Sequence, residues 1–434
     1  MNEVTVGLIV LVILLILFLT GIELGFAMAI MGFLGFAYLV SLPAAFNLLA
    51  KDTFDTFANY GFTVIPLFIF MGQIAFNAGI AKKLFDSAHK FMGHIPGGLA
   101  IATVAGATVF KAICGSSTAT AATFASVAVP EMDRFGYARK LSTGIVATVG
   151  TLGVLIPPSV TLIIFGVITE QSIGRLFMAG LIPGLLIALF FVIIIVGWAK
   201  MNPAIAPRVP KFGWNERIKS VPAVIWPIII FLVVIGGLLK GFFTPTEAGS
   251  VGTAAVLVFA LAQRSLGWKS FMQSIDESLR TACMVLVLIA GSAILGHFIA
   301  VTNIPSLAAD WIAGLPLHRY VVMIIISLFY LLGGSFIDDL AFMILATPIF
   351  YPAIIKLGFD PMWFGIMISI TVMVGVVVPP VAINVFVVKN ITKTPFNVIY
   401  GGVYPFLLAL AFCAVLLFVF PSLATWLPNL LYQK

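Results

Sequence analysis

Charged residues are scarce in this sequence. They make up 9% of the 434 residues, whereas 62% are hydrophobic. A soluble domain carries about 25% charged residues, so the chain lacks the polar surface that a water-soluble protein needs. It also lacks a long polar stretch that could fold as a separate soluble domain. Apolar runs of about 20 residues, the length of a helix that crosses a bilayer, recur along it. The composition predicts an all-α integral membrane protein.

Cysteine is rare as well. Cys114, Cys283 and Cys413 all lie in apolar sequence, which argues against a disulfide framework. The four histidines show no metal-ligand spacing, and neither an HExxH motif nor a Ser/His/Asp arrangement is found, so a membrane enzyme is disfavoured. Residues 1–19 lack the basic start and the cleavage site of a signal peptide, and they are predicted to form a retained helix.

Glycine and proline, in contrast, recur in a fixed pattern. Seven positions repeat at a constant offset of 222 residues. The pairs are Pro130 with Pro352, Gly136 with Gly358, Gly153 with Gly375, Pro157 with Pro379, Pro158 with Pro380, Gly180 with Gly402, and Pro183 with Pro405. Coincidence among Gly- and Pro-rich membrane helices is the alternative, but one ungapped register favours a duplicated fold.

Basic residues indicate how the two repeats are oriented. Of the 23 Lys and Arg residues, 16 fall in segments 81–94, 131–140, 200–219, 264–280 and 389–394. The equivalents of these segments in the other repeat are poor in them; segment 353–362, for example, holds only Lys356. Basic loops face the cytoplasm, so equivalent loops lie on opposite sides and the repeats are inverted. This predicts a periplasmic N-terminus, and inverted repeats are typical of secondary transporters.

Two places in each repeat are predicted to interrupt a helix. Residues 114–118 and 333–339 are predicted to be the tips of re-entrant helical hairpins, since irregular backbone at membrane depth must be buried or line a cavity. Residues 150–159 and 374–380 contain the double prolines, which remove backbone donors and unwind a helix. A kink kept only for packing is the alternative for each double proline.

These breaks predict an ion and substrate site. Carbonyl and hydroxyl oxygens freed there suit Na⁺, and the N-termini of half-helices attract anions. The candidate Na⁺ residues are Gly115, Ser116, Gly153, Pro157, Ser335, Asp338, Gly375 and Pro379. The candidate substrate-binding residues are Lys111, Ser116, Ser117, Thr118 and Asn384.

An ionisable group at membrane depth costs about 2.5–3.5 kcal/mol, so each one needs a reason. Lys111 has three open alternatives: it reaches an interface, pairs with Asp338 or Asp339, or contacts an anionic substrate. Asp338 either contributes to an Na⁺ site or only caps the returning helix. By contrast, Glu247 has the spacing of a capping box with Thr244 and is predicted to be structural.

The sequence resembles the large membrane subunit of tripartite ATP-independent periplasmic (TRAP) transporters over nearly the whole chain. The motifs that carry the resemblance are residues 115–122, 130–137, 153–159 with 173–177, 243–248 and 378–384. Two features depart from the family pattern. Lys111 stands where many members have a small or apolar residue, and Asp338 and Asp339 are adjacent where one acid is expected.

The resemblance implies an elevator-type transporter in a bacterial inner membrane. It would take up an organic anion of the carboxylate class by Na⁺ symport, with no cofactor besides the coupling ion. A small four-helix membrane subunit and a periplasmic binding protein would be its partners. The implied division is scaffold with an arm at 1–94 and 220–316, transport-domain halves at 95–199 and 317–434, and a basic cytoplasmic loop at 200–219. A stand-alone Na⁺-coupled anion symporter is the alternative.

Overall fold

A computed structural model describes residues 2–18 and 20–432, and every regular element in these ranges is helical. The first repeat contains α1 (Glu3–Phe18), α2 (Leu24–Leu39), α3 (Leu42–Ala58), α4 (Val64–Asn77), α5 (Ile80–Met92), α6 (Gly98–Lys111), α7 (Ser117–Arg134), α8 (Arg139–Val149), α9 (Val160–Ile168) and α10 (Ile173–Met201). After the connecting helix α11 (Trp214–Ser220), the second repeat contains α12 (Pro222–Leu239), α13 (Pro245–Ala262), α14 (Trp268–Val301), α15 (Ile304–Ala313), α16 (Arg319–Phe336), α17 (Asp339–Lys356), α18 (Pro361–Gly375), α19 (Ile383–Thr392) and α20 (Phe396–Val419). The helix α21 (Ser422–Tyr432) follows.

The predicted membrane architecture is confirmed. In the described part of the chain, eight helical segments are long and apolar enough to cross a membrane. The helix predicted over residues 1–19 is present as α1, although Met1 and Leu19 lie outside the described residues.

The duplication is visible in the helix boundaries. Helices α7 and α17 both have 18 residues, and both begin and end 222 positions apart. The turns that follow them contain Gly136 and Gly358, which have φ angles of +74° and +72°. These left-handed conformations favour glycine, which explains why glycine recurs at both places.

Helices α6 and α7 form hairpin 1, and α16 and α17 form hairpin 2. The base of hairpin 1 lies at the C-terminal end of α10, where Gly97 packs against Ile195 and Ala199. Hairpin 2 lies at the other end of the same helix, because Gln171, just before α10, donates a 3.2 Å hydrogen bond to Tyr351. The hairpins therefore enter from opposite ends of a long helix, as inverted repeats require.

Packing between the repeats is reciprocal. Helix α2 packs on α14, and its counterpart α13 packs on α4. The contacts are close because Gly25 and Gly32 bring the backbone of α2 against Leu288 and Leu295 of α14. Likewise, α7 packs on α19 of the other repeat, and α17 packs on α9. Each hairpin is thus held by the broken helix of the opposite repeat.

Two short amphipathic segments, 46–58 and 271–280, are predicted from the sequence to lie along opposite membrane interfaces as arms of the scaffold, and the structure shows them to differ from each other. Segment 46–58 lies within the separate helix α3, whose N-cap is Ser41. Segment 271–280 is instead the start of the 34-residue helix α14, because no glycine or proline separates it from the apolar sequence that follows.

A contact between side chains connects α3 to α14. The Oδ2 atom of Asp52 in α3 lies 3.4 Å from the Nε2 atom of His297 in α14. Burial raises the pKa of the Asp52 carboxyl, and the nearby His297 partly opposes that shift.

Candidate functional site

A cavity of about 430 Å³ lies where the tips of the two hairpins meet. Hairpin 1 contributes Gly115, Ser116, Ser117 and Thr118, and hairpin 2 contributes Asp338, Asp339 and Leu340. The opposite wall is formed by α4 and α14. The cavity therefore lies between the hairpin tips and the helices predicted to form the scaffold.

The tip of hairpin 1 is a short non-helical segment between Lys111 and Ser117. The Ser116 hydroxyl caps α7 by accepting a 3.3 Å hydrogen bond from the backbone N–H of Ala119. The Ser116 carbonyl accepts from the Thr120 hydroxyl at 3.0 Å and from the Lys111 ammonium at 2.5 Å. These local hydrogen bonds thus stabilise the conformation of the tip at the N-terminus of α7.

The first helix break lies directly behind this tip. The backbone turns from α8 into a 3₁₀ segment, Gly150–Val154, and resumes as α9 after the double proline. Gly115 packs against the Pro158 carbonyl so closely that a side chain at position 115 would collide with it. The Ser159 hydroxyl donates a 2.6 Å hydrogen bond to the Val154 carbonyl. The tip of hairpin 1 and the first helix break therefore pack together as one structural unit.

The second repeat builds the same contact with other groups. The backbone N–H of Val381, just after the second double proline, donates a 3.1 Å hydrogen bond to the Ser335 carbonyl. Gly375 packs against Gly334 next to it. Asp338 caps α17 by accepting a 3.1 Å hydrogen bond from the Leu340 N–H. The repeats differ in burial, since Pro157 and Pro158 are buried whereas Pro379 and Pro380 are exposed.

Asn384 connects the two repeats. It is fully buried, and its side-chain Nδ2 donates to the Ser117 hydroxyl at 3.0 Å and to the Ala147 carbonyl at 3.3 Å. Its Oδ1 is buried and has no hydrogen-bond partner among the described residues. A buried amide oxygen without a donor is costly, and it is a suitable ligand for a hard cation.

The structure divides the predicted residues into two groups. Gly115, Ser116, Ser117, Thr118 and Asp338 line the cavity. The others lie outside its lining, behind the tips; they are Lys111, Gly153, Pro157, Ser335, Gly375, Pro379 and Asn384. Asn384 still reaches the site through Ser117.

The structure supports neither an interface position for Lys111 nor a pair with Asp338 or Asp339, and contact with an anionic substrate stays a prediction. Lys111 is fully buried, so it does not reach an interface, and it does not line the cavity. Among the described residues, no carboxylate lies within ion-pair distance of it. Its ammonium instead donates to the carbonyl of the tip that it precedes. Sequence spacing could not show this, because it does not fix the direction of a long flexible side chain.

The cavity wall opposite the tips contains two polar residues that were not predicted from the sequence. Gln73 of α4 and Thr281 of α14 line the wall opposite the tips. The signal for Gln73 was present, since it interrupts an apolar run in α4. Thr281 carries no comparable signal, because its hydroxyl also has the ordinary role of bonding the Glu277 carbonyl one turn earlier.

Residues 11–423 match the family model of the tripartite ATP-independent periplasmic transporter, DctM component. The chain belongs to this family. It is 32% identical to the C4-dicarboxylate TRAP transporter large permease protein DctM of Pseudomonas aeruginosa, over 89% of this chain and 90% of that one. It is 29% identical to the sialic acid TRAP transporter large permease protein SiaM of Vibrio cholerae, over 95% and 96%.

Further relatives of this DctM-family chain extend the comparison. The ectoine TRAP transporter large permease protein TeaC of Halomonas elongata is 32% identical over 85% of this chain and 86% of its own. In fold, the chain is similar to the YdaH transporter of Alcanivorax borkumensis, with a TM-score of 0.56, 15% identity and 90% coverage of both chains. The relatives are permease subunits of transporters, so this DctM-family member is a multi-pass transport protein and not an enzyme.

Proposed function

We propose that this chain is the large transmembrane subunit of an Na⁺-coupled TRAP transporter, which takes up an organic anion of the carboxylate class. The observation that carries the proposal is the meeting of two hairpin tips, from opposite ends of α10, at one cavity. Each tip is also bound to the helix break of its own repeat. Because the two tips come from opposite sides of the membrane, the site can open to one side when one tip is exposed and to the other side when the other tip is exposed.

The charges around the cavity support coupling of an anion to a cation. The N-termini of α7 and α17 both lie at the cavity and carry partial positive charge, which favours a carboxylate. The carboxylates of Asp338 and Asp339 line the same cavity, and their negative charge repels an anion. A cation bound at the breaks would offset that repulsion, so anion binding would depend on Na⁺.

The cavity walls support an elevator mechanism. Both tips belong to the proposed transport-domain segments, 95–199 and 317–434, whereas α4 and α14 belong to the proposed scaffold segments, 1–94 and 220–316. Movement of the tips together past α4 and α14 would carry the site across the membrane. The basic segments place the loop 200–219 in the cytoplasm and the N-terminus in the periplasm under this proposal.

The family implies two further proteins. A periplasmic binding protein would deliver the anion, and a small four-helix membrane subunit would bind the apolar outer surface of the scaffold. The substrates named for the relatives include C4-dicarboxylate, sialic acid and ectoine, so carboxylates are the proposed class for this chain.

Uptake by proteoliposomes tests the proposal. The chain is reconstituted with its small subunit, an inward Na⁺ gradient is imposed, and labelled carboxylates are presented with and without the binding protein. We expect uptake only with both the gradient and the binding protein. Equal uptake with choline in place of Na⁺ would contradict the coupling. Uptake of the free anion without a binding protein would instead establish a stand-alone Na⁺-coupled symporter.

A further inference from the structure

Lys111 occupies an unusual position for a basic residue. It ends α6, is 0% exposed, and its ammonium donates a 2.5 Å hydrogen bond to the Ser116 carbonyl of the hairpin 1 tip. The end of its side chain fills the space beside Gly153 in the first helix break, where any other residue would collide with it. A buried cation is therefore placed where the tip and the break of the first repeat meet.

The surroundings of this ammonium resemble those of a bound metal cation more than those of an ion-paired lysine. Within the part of the chain that the structure describes, its one hydrogen-bond acceptor is a backbone carbonyl. No carboxylate of the described residues forms a salt bridge with it, although the charge of Asp339 across the cavity acts on it. Backbone carbonyls at a helix break are the ligands that transporters offer to Na⁺.

The second repeat has the opposite charge arrangement. At the offset of 222 residues, the equivalent of Lys111 is Gly333, which has no side chain. The equivalents of Ser116 and Ser117 are Asp338 and Asp339. The first-repeat cluster, formed by Lys111, Ser116 and Ser117, thus contains a basic side chain and neutral hydroxyls. The second-repeat cluster, which includes Asp338 and Asp339, contains two carboxylates and no basic side chain among the described residues.

We propose that the Lys111 ammonium is a tethered cation that takes the ion position of the first repeat, so that Na⁺ binds only at the second-repeat cluster around Ser335 and Asp338. The inference rests on the proposed Na⁺ coupling and refines it, because it states which of the two clusters exchanges its ion. The second cluster then supplies the dependence on Na⁺, and the Lys111 ammonium supplies the positive charge of the first.

The number of bound Na⁺ ions tests the inference without knowledge of the substrate. The unfolding free energy of the purified chain in detergent is measured against Na⁺ concentration, with choline keeping the ionic strength constant. The slope against RT ln[Na⁺] approaches the number of ions bound by the folded state at saturation. We expect a slope of about one for the wild type and about two for Lys111→Ala, in which carbonyls and space are released for a second ion.

Two further variants, Lys111→Met and Asp338→Asn, are the controls for this measurement. Lys111→Met fills the same space without charge, so it should leave the slope at about one. Asp338→Asn should reduce the wild-type slope toward zero. A wild-type slope of about two would overturn the inference even if Lys111→Ala did not fold. Unchanged slopes of about one in wild type and Lys111→Ala would also overturn it, and would leave the proposed Na⁺ coupling intact.

A free energy of unfolding that does not depend on Na⁺ concentration distinguishes failure of the proposed Na⁺ coupling from failure of the inference about Lys111. If neither wild type nor Lys111→Ala responds to Na⁺, both the coupling and the tethered cation are contradicted. If only Lys111→Ala responds, the ammonium does occupy an ion position, and the coupling proposed for the wild type is wrong.

Discussion

Asn384 is the side chain that joins the two repeats at the site. It lies on α19 of the second repeat, yet its donors reach Ser117 and Ala147 of the first. Removing a buried hydrogen-bonding group leaves its partners unsatisfied, at a cost of about 1–3 kcal/mol.

We therefore expect Asn384→Ala to lower the free energy of unfolding by about 1–3 kcal/mol, because the Ser117 hydroxyl and the Ala147 carbonyl lose a buried donor. Asn390→Ala is the matched control, since Asn390 lies on the same helix and is exposed. It should leave the free energy of unfolding unchanged. Equal unfolding free energies in both variants would show that Asn384 does not join the two repeats.

Single residues differ in how far the sequence could place them. The hydroxyls of Ser116, Ser117 and Thr118 were predictable, because they follow a glycine at a break that recurs in the second repeat. The capping box of Thr244 and Glu247 was confirmed, since both of its hydrogen bonds are local in sequence. Gln73 and the direction of Lys111 depend on contacts between distant segments, which no local pattern encodes.

Close approach of helices explains several of the repeated glycines. Helices α8 and α20 come from different repeats and touch through Gly144 and Gly402. A methyl group at position 402 would collide with the Lys140 carbonyl, whereas nothing lies within 4 Å of one at the neighbouring Gly401. The recurrence of Gly180 as Gly402 therefore has a packing reason in the second repeat.

This contrast gives a matched pair of variants. Gly402→Ala should destabilise the protein by about 1–3 kcal/mol, because the helices must move apart. Gly401→Ala should be neutral or slightly stabilising, because alanine is the better helix former. Thermal unfolding of the two purified variants distinguishes them. Equal melting temperatures would show that the α8–α20 contact is looser than the structure indicates.

The two double prolines should differ in their effects when each is changed to Ala-Ala. Both substitutions restore backbone donors and allow a regular helix, which would remove freed carbonyls from the site. Pro157 and Pro158 are buried, whereas Pro379 and Pro380 are exposed. We expect both variants to lose Na⁺-dependent uptake, and only the variant of Pro157 and Pro158 to lose substantial thermal stability as well.

Expression level and melting temperature are measured beside uptake for both variants. Parallel loss of stability and uptake at Pro379 and Pro380 would favour a purely packing role for that break. The sequence placed both breaks correctly because proline acts locally. It could not predict their different burial, which depends on how the repeats pack.

Across the whole chain, the duplication was the most predictable property. A constant offset and alternating basic loops were enough for two inverted repeats, and the helix boundaries agree with them. The continuous helix α14 and the cross-repeat pairs α7 with α19 and α17 with α9 were not predicted. Such pairings arise from tertiary packing, which periodicity within one segment does not encode.

The central claim is that the hairpin tips move past a fixed scaffold, and a native cysteine allows a direct test. A Cβ at position 72 of α4 would lie 3.6 Å from the Cβ and 3.3 Å from the sulfur of Cys114 in the hairpin 1 tip. The distance between the two Cβ atoms is within the range of a disulfide. Gly72→Cys, with Cys283 and Cys413 replaced by serine, should therefore cross-link scaffold to tip.

The measurement is Na⁺-driven uptake by proteoliposomes of this variant after oxidation and again after reduction, with Gly72→Ala in the same background as control. We expect oxidation to abolish uptake in proportion to the cross-linked fraction, reduction to restore it, and the control to respond to neither treatment. Undiminished uptake by fully cross-linked protein would contradict movement of the tip past the scaffold.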